Sequence, residues 1–329
     1  MSVQRPRAAQ TSRIALCVAM LLLLGCNSFS RRQREAEYSP SEGILEIVAV
    51  LRLHLLDDTY RFPPAVDFSG RNVYRASLLR LENLERVESD AIRSGYMNGV
   101  MSFTKARALE RLRAYDLAAQ HYRDSARYPG ELREIALESG AIVARIAEAI
   151  TIGIDLVDPL SETGLSPLPP DGQSVRIALD SRMARLSALL EDVRDTHYRW
   201  IVQEEIERAD VVRALYFVEM RSALNDGTLI ALQELQRVVT RHGASKYRLR
   251  HLLRLADFYA TLSRKYLAAI PPESLLFDPA QFHEMADPAI QLYELVASHD
   301  GRPEKLEAAR SLEAFLALIL TIDADRFDS

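Results

Sequence analysis

Apolar residues recur three and four positions apart from Gly43 to near the C-terminus, and this period constrains the fold more than any other feature. Such spacing places the apolar side chains on one face of an α-helix. The alternation that is typical of a strand does not extend over a useful length anywhere in the sequence. The clearest stripe, with intervals of 4, 4, 3, 4 and 3 residues, comprises Val175, Leu179, Met183, Leu186, Leu190 and Val193. The sequence therefore predicts an all-α fold.

Turn-forming residues are scarce, which favours long helices joined by few connections. The chain has 13 Gly and 14 Pro among 329 residues, whereas average usage of the two together is roughly 12%. The apolar period and its interruptions predict helices over 44–55, 71–93, 97–112, 116–127, 131–150, 173–195, 196–226, 228–241, 245–269, 279–298 and 303–322. Since most of the connections are short, we expect neighbouring helices to pack as antiparallel hairpins.

One stretch that is rich in proline and glycine divides the helical body. Residues 158–172 hold four Pro and two Gly. Proline removes a backbone donor and disfavours helix in the residue before it. We interpret this stretch as a linker between an N-terminal helical domain, residues 43–157, and a C-terminal helical domain, residues 173–322.

Residues 173–226 contain no Gly or Pro, so either one helix or two can be drawn through them. A single helix would be about 80 Å long. We favour a break near Asp195 and Thr196, with Thr196 as the N-cap of a second helix that packs back on the first. Nothing in the sequence forces this turn, and a single helix over 175–224 stays open at this point.

The first 26 residues have the pattern of an export signal. Arg5, Arg7 and Arg13 form a basic start without acidic residues, and an apolar run follows over residues 14–24. At about 1.5 Å per residue this run is too short to cross a hydrocarbon layer of about 30 Å. A basic start followed by a short apolar run is typical of a secretory signal peptide.

The end of this run, Leu23-Leu24-Gly25-Cys26, resembles the lipobox of bacterial lipoproteins. The resemblance implies that residues 1–25 are a lipoprotein signal peptide, that Cys26 carries palmitate-type acyl chains, and that these chains anchor the protein to a membrane. Asn27, where some sorting signals have Asp, implies the outer membrane and a body that faces the periplasm. An ordinary signal peptide or an N-terminal anchor, with an incidental cysteine, is the alternative.

Removal of the signal would leave a polar tether over residues 26–42 and an acidic body. Three arginines and no acidic residue are lost with residues 1–25, so the net charge changes from −5 to −8. A negative body gives no reason to expect a nucleic-acid partner. Cys17 would leave with the signal, so Cys26 would be the remaining cysteine and no disulfide would form.

Two pairs of predicted helices resemble tetratricopeptide repeats, in which small residues let two helices approach and an aromatic ring fills the groove. The first match lies within residues 96–130 and the second within 228–320, where an insertion over about 268–284 separates the two helices. The matching residues are Ala106, Leu109, Tyr115, Ala118, Tyr122 and Ser125, and then Leu252, Leu255, Ala256, Tyr259, Ala289, Tyr293 and Val296. The resemblance implies an α-solenoid with these tyrosines in its core, while an irregular helical bundle stays open.

No motif in the sequence identifies a reaction or a ligand. The patterns GxGxxG, GxxxxGK[ST], GxSxG and CxxC do not occur, so nucleotide, serine-hydrolase and zinc-cluster sites lack their minimum parts. His283, Glu284 and Asp287 lie within a turn and a half of helix, and one His with two carboxylates can bind a metal. We interpret this group as a solvated helix face. The sequence therefore gives no catalytic residue, no metal ligand, no cofactor and no small-molecule ligand.

One predicted helix carries a group of charges of both signs, namely Arg199, Glu204, Glu205, Glu207, Arg208, Asp210 and Arg213. An acid and a base four residues apart, as at Glu204 and Arg208, are typical of a solvent-facing helix. A glycosidase would need two acids that face each other across a cleft, which spacing does not reveal. We expect His242 at a turn and His251 on a helix face.

Together these patterns favour a lipid-anchored scaffold or adaptor in the cell envelope that binds a protein partner. In architecture the chain resembles lipoproteins of outer-membrane assembly and of division-linked envelope complexes. Solenoids expose surfaces that suit peptides, but the matching tyrosines are expected in the core, so no binding residue is assigned. An envelope enzyme acting on peptidoglycan and a structural helical spacer are the alternatives.

Overall fold

The computed structural model describes residues 40–57, 72–94, 97–153 and 172–327. These residues are predominantly helical and contain no β-strand, so the predicted all-α class is confirmed. Several predictions concern residues outside the described ranges: the signal at 1–25, the lipid attachment at Cys26, the tether up to residue 39 and residues 158–171 of the linker.

The described helices follow the predicted ranges closely. In chain order they are α1 Pro40–Asp57, α2 Val73–Val87, α3 Ser89–Ser94, α4 Asn98–Arg111, α5 Tyr115–Ser125, α6 Leu132–Thr151, α7 Gly172–Asp192, α8 Tyr198–Met220, α9 Gly227–Arg241, α10 Arg248–Ala269, α11 Pro279–Ala297 and α12 Pro303–Phe327. Helix α11 shows why such ends are predictable. It begins with Pro279, and the side chain of Asp278 accepts a hydrogen bond from the backbone N–H of Ala280 at 2.9 Å, a common arrangement at helix starts.

The prediction of one helix over residues 71–93 is wrong, because the chain forms α2 and α3 with a break at Glu88. The backbone of Glu88 leaves the helical region with φ −115° and ψ 30°, while its N–H still bonds to the carbonyl of Leu84 at 2.8 Å. Ser89 and Asp90 follow at once. Serine and aspartate are weak in helix interiors and favoured at helix starts, so they begin a new helix here without any Gly or Pro.

The predicted break near residues 195–196 is confirmed, and α7 packs against α8 as a hairpin. Thr196 lies two residues before α8, where its hydroxyl accepts a hydrogen bond from the N–H of Tyr198 at 3.2 Å. The same hydroxyl donates to the carbonyl of Val193 at 2.9 Å. The prediction that Thr196 is the N-cap is wrong by one residue, because His197 holds that position without a side-chain capping bond. Thr196 instead bonds to backbone groups on both sides of the turn.

The described residues form two compact units, and the division falls after Gly140, within α6. The first unit contains α2–α5, and its buried residues include a small cluster of Ile44, Ile92 and Met101. The second unit contains α7–α12, in which each helix packs against the next one in sequence. The Pro- and Gly-rich linker lies later in the chain than this division. Its last residue, Gly172, begins α7, and the rest lies outside the described residues.

The first repeat-like pair, α4 and α5, packs as its residue spacing indicated. Ala106 and Ala118 are fully buried, which lets the two helices approach closely, and Tyr122 is buried between them. The hydroxyl of Tyr122 donates to Glu110 at 2.7 Å. Ser125 donates to the carbonyl of Gly99 at 2.8 Å, so the buried serine of the pattern is also paired.

The second pair, α10 and α11, has the same small-residue contact but differs at one tyrosine. Ala256 and Ala289 are fully buried, and Tyr293 is buried with its hydroxyl donating to Asp257 at 2.6 Å. Burial and the bond to Asp257 raise the pKa of the Tyr293 hydroxyl above its ordinary value. The prediction that Tyr259 lies in the core is wrong in part. Tyr259 is half-buried, and its hydroxyl reaches Gln236 at 3.0 Å.

Candidate functional site

A buried cluster of charged side chains lies in the second unit, on α8 and the helices beside it. The expectation of a solvent-facing helix is wrong here, because the exposed fractions are 3% for Glu205, 2% for Glu207 and 0% for Asp210. Helix α8 packs against both α7 and α9, and its buried residues occupy nearly every direction around its axis. A helix covered in this way has no solvated face on which to place its acids.

Asp210 is the most completely buried member and has three cationic or potentially cationic partners. Its Oδ2 is 2.9 Å from His242 Nε2 and 3.0 Å from Arg241, and its Oδ1 is 3.0 Å from Arg237. Burial by itself would raise the pKa of Asp210. The hydrogen bond from His242 and the two guanidinium groups oppose it and hold the pKa below the usual value, so Asp210 is a carboxylate at neutral pH.

The partners of Asp210 all come from the end of α9. Arg237 and Arg241 stand in its last turns, and His242 is the residue that follows the helix. Cations are favoured at helix C-termini, where the unpaired carbonyl groups carry partial negative charge. The predicted turn position of His242 is confirmed, but the sequence did not indicate that the ring would be buried against a carboxylate.

Glu207 and His251 form a second buried pair, with Oε1 and Nε2 separated by 2.5 Å. The rings of His242 and His251 are 6.3 Å apart, so the two pairs are neighbours. Within the described part of the chain, Glu207 Oε2 and His251 Nδ1 lack a hydrogen-bond partner. His251 also lines a cavity of about 10 Å³ with Arg254 and several apolar side chains, which is about the space that one water needs.

Ion pairs at the edge of the cluster link α8 to further helices. Glu204 accepts hydrogen bonds from Arg208 and Lys246, both at 3.0 Å. Arg213 reaches Glu234 on α9 at 3.0 Å and also pairs with Asp180 on α7. Charged groups that leave water lose several kcal/mol of hydration each unless close partners replace it. The cluster therefore holds α7, α8, α9 and α10 together through mutual neutralisation.

The chemistry open to this cluster follows from these pairings. Glycoside hydrolysis requires two acids that face each other across a cleft. In the described structure the acids of the cluster face cations or imidazoles instead. A histidine oriented by a carboxylate can act as a base, but the cavity beside His251 has room for a water at most. No three His, Cys, Asp or Glu side chains of the described ranges are placed to hold a metal ion.

The other candidate group from the sequence, on α11, lies at the surface. His283 and Asp287 are partly exposed, and His283 Nδ1 is 3.0 Å from Asp287 Oδ1. Glu284 is exposed on the same helix. The interpretation as a solvated helix face agrees with this geometry.

A second cavity, of about 110 Å³, lies between the end of α6 and α7 in the second unit. Ala149, Ile152 and Leu189 are among the residues that line it, together with the charged side chains of Arg145 and Arg185. Nearby, Arg182 donates two hydrogen bonds to the carbonyl of Ile152, at 2.9 and 2.7 Å, and so satisfies a backbone group at the end of α6.

Comparisons with known proteins place the chain in no family. No family model matches it, and neither a curated protein nor a solved structure shows significant similarity. Among the described helices, none is both long and apolar enough to span a bilayer.

Proposed function

We propose that the chain is a lipoprotein of the bacterial envelope, anchored through Cys26, whose helical body faces the periplasm and serves as a protein-binding scaffold or adaptor. The sequence Leu23-Leu24-Gly25-Cys26 after a basic and apolar start carries this proposal. Acyl chains contribute about 0.8 kcal/mol per buried CH₂ group, so several chains on one cysteine anchor a protein permanently.

The helical body supports the scaffold part of the proposal. Helices α7–α12 pack one after another, as in solenoids whose extended surfaces bind peptides. The charges of the α8 cluster are engaged with one another, so they are not the binding surface. Exposed leucines, by contrast, occur on α9 and in the connection between α10 and α11, namely Leu229, Leu275 and Leu276.

The lipid anchor is tested by the variant Cys26→Ser, with Cys17→Ser as the matched control. In cells that receive labelled palmitate, we expect Cys26→Ser to accumulate as uncleaved precursor without label, because the attachment thiol is lost. The variant Cys17→Ser should be processed and labelled like the unchanged chain, since this residue lies in the part that is removed. Normal processing and labelling of Cys26→Ser would refute the anchor.

The scaffold role is tested by crosslinking in membranes, followed by co-purification and identification of partners. We expect the same envelope protein to be recovered in independent preparations with the full chain and to be lost when the body after residue 42 is deleted. The absence of any crosslinked protein would refute the scaffold role, while leaving the anchor unaffected.

A further inference from the structure

The connection between α10 and α11 holds two leucines in solvent. We call residues 270–278 of this connection the leucine loop. The side chain of Leu275 is fully exposed, and Leu276 is 79% exposed. Single exposed leucines are common on protein surfaces, whereas adjacent ones at the tip of a loop form a small apolar projection.

The leucine loop is a built structure, because its base is fixed by the residue that follows the two leucines. Phe277 is buried in the core of the second unit, with its ring centroid 5.7 Å from that of Tyr266 and 6.1 Å from that of Phe282. The Tyr266 hydroxyl accepts a hydrogen bond from the N–H of Asp278 at 2.9 Å and lies 3.2 Å from its carbonyl. These hydrogen bonds of Tyr266 therefore hold the end of the loop against α10.

Turns inside the loop direct the two leucines outward. The N–H of Ser274 bonds to the carbonyl of Pro271 at 2.9 Å, and the N–H of Phe277 bonds to the carbonyl of Ser274 at 3.0 Å. The hydroxyl of Ser274 accepts from the N–H of Leu276 at 3.2 Å. Pro271 and Pro272 add fixed φ angles. Since the backbone is held in this way, the exposure of the leucines is a property of the fold.

Both charged residues of the leucine loop are acidic. Glu273 is exposed and has no hydrogen bond or ion pair among the described residues, and Asp278 is exposed at the other end. An occupant that covers the leucines must therefore also accept two carboxylates beside them. Complementary charge on the partner favours association and excludes other partners.

We infer that the leucine loop is a docking element that inserts Leu275 and Leu276 into an apolar pocket of a partner protein whose rim carries Lys or Arg. This inference rests on the proposed scaffold role. Two copies of the loop meeting across a two-fold axis would bring the same carboxylates together. A bilayer with anionic lipids would repel the loop and the acidic body behind it.

Site-specific photocrosslinking in the full chain tests this inference. The photoreactive residue p-benzoyl-phenylalanine replaces Leu275, and in a matched chain it replaces Leu229, an exposed leucine on α9. In living cells we expect position 275 to form an adduct with one envelope protein, at a peptide containing apolar residues and Lys or Arg.

In the chain labelled at 275, Leu276→Ser should lower the yield of this adduct about tenfold, and Glu273→Lys should lower the yield several-fold. These variants should keep the circular dichroism of the unchanged chain, because both residues are exposed.

The outcomes separate the leucine loop from the scaffold role. Adducts at 229 without adducts at 275 would refute docking by the loop and leave the scaffold role intact, whereas no protein adduct at either position would count against both. A lipid adduct or a second copy of the chain at 275 would overturn the inference. So would binding of the purified protein to phosphatidylcholine vesicles that disappears in the variant carrying Leu275→Ser and Leu276→Ser.

Discussion

The α4/α5 hairpin and the charge cluster around α8 both have fully buried residues at their centre, yet opposite chemistry stabilises them. In the hairpin, Ala106 and Ala118 allow close approach, and a single buried acid, Glu110, has hydrogen bonds from Tyr122 and Arg107 at 2.7 and 2.9 Å. In the cluster, several carboxylates and cations neutralise one another out of water. The hairpin depends on shape and the cluster on charge balance, so different substitutions should disrupt them.

The largest effect is expected for Asp210→Ala, which removes the most buried acid of the cluster. It leaves His242 buried beside Arg237 and Arg241 without their common partner. Breaking a buried ion pair costs about 3–5 kcal/mol. We expect the lower end of that range, because both arginines also reach water. Urea denaturation followed by the fluorescence of Trp200, the single tryptophan, measures the change in the free energy of unfolding.

The exposed Asp287, which pairs with His283 on α11, provides the control for this substitution. Asp287→Ala should change the free energy of unfolding by less than about 0.5 kcal/mol. If Asp210→Ala is as mild as Asp287→Ala, the cluster does not hold the second unit together.

A smaller effect is expected for Ala118→Leu in the hairpin, where the added atoms have no space between α4 and α5. Overpacking of this kind costs about 1–3 kcal/mol. The matched control is Gln120→Leu, which adds the same side chain on the exposed face of α5. Loss of helical circular dichroism in urea would show the difference. Equal curves for the two variants would mean that the alanine contact does not set the distance between these helices.

The smallest expected effect is a difference between the two units in how their free energy of unfolding depends on pH. Burial and the nearby Lys105 lower the pKa of His121 on α5 below its usual value of 6.5. As the pH falls below about 6.5, the unfolded chain binds a proton there before the folded chain does, so the first unit loses stability. The pKa of Asp210 is also lowered, but its unfolded value is about 3.9. The second unit should therefore lose this contribution only below about pH 4.

The variants His121→Gln and Asp210→Asn locate these two pH windows. The first should flatten the dependence of stability on pH just below 6.5, and the second the dependence below about 4, each measured by urea denaturation at a series of pH values. If His121→Gln changes the pH dependence of the free energy of unfolding only below about pH 4, as Asp210→Asn is expected to do, the role of His121 is contradicted.

The comparison also shows what the sequence can predict. The hairpins were predictable because apolar residues that recur at helical spacing mark the face of a helix that packs on its neighbours. The cluster was not, because Glu204 and Arg208 at four-residue spacing have the pattern of a surface pair. The buried acids Glu207 and Asp210 have partners at the end of α9 and on α10, which the spacing on α8 does not reveal. The break at Glu88 likewise lacked Gly or Pro as a signal. Exposure of Leu275 depends on how Phe277 and Tyr266 fix the loop, which no local pattern contains.

The contacts of α8 have a consequence for how the second unit assembles. Asp210 finds its imidazole partner 32 residues later in the chain, and Glu207 finds its partner 44 residues later. In many helical repeat arrays, stability is a sum of neighbouring contributions and folding can begin at any repeat. Here a growing chain that stops before His251 has carboxylates on α8 without their counterparts. Any piece of the chain that contains α8 with its buried acids paired must therefore extend at least as far as His251 on α10.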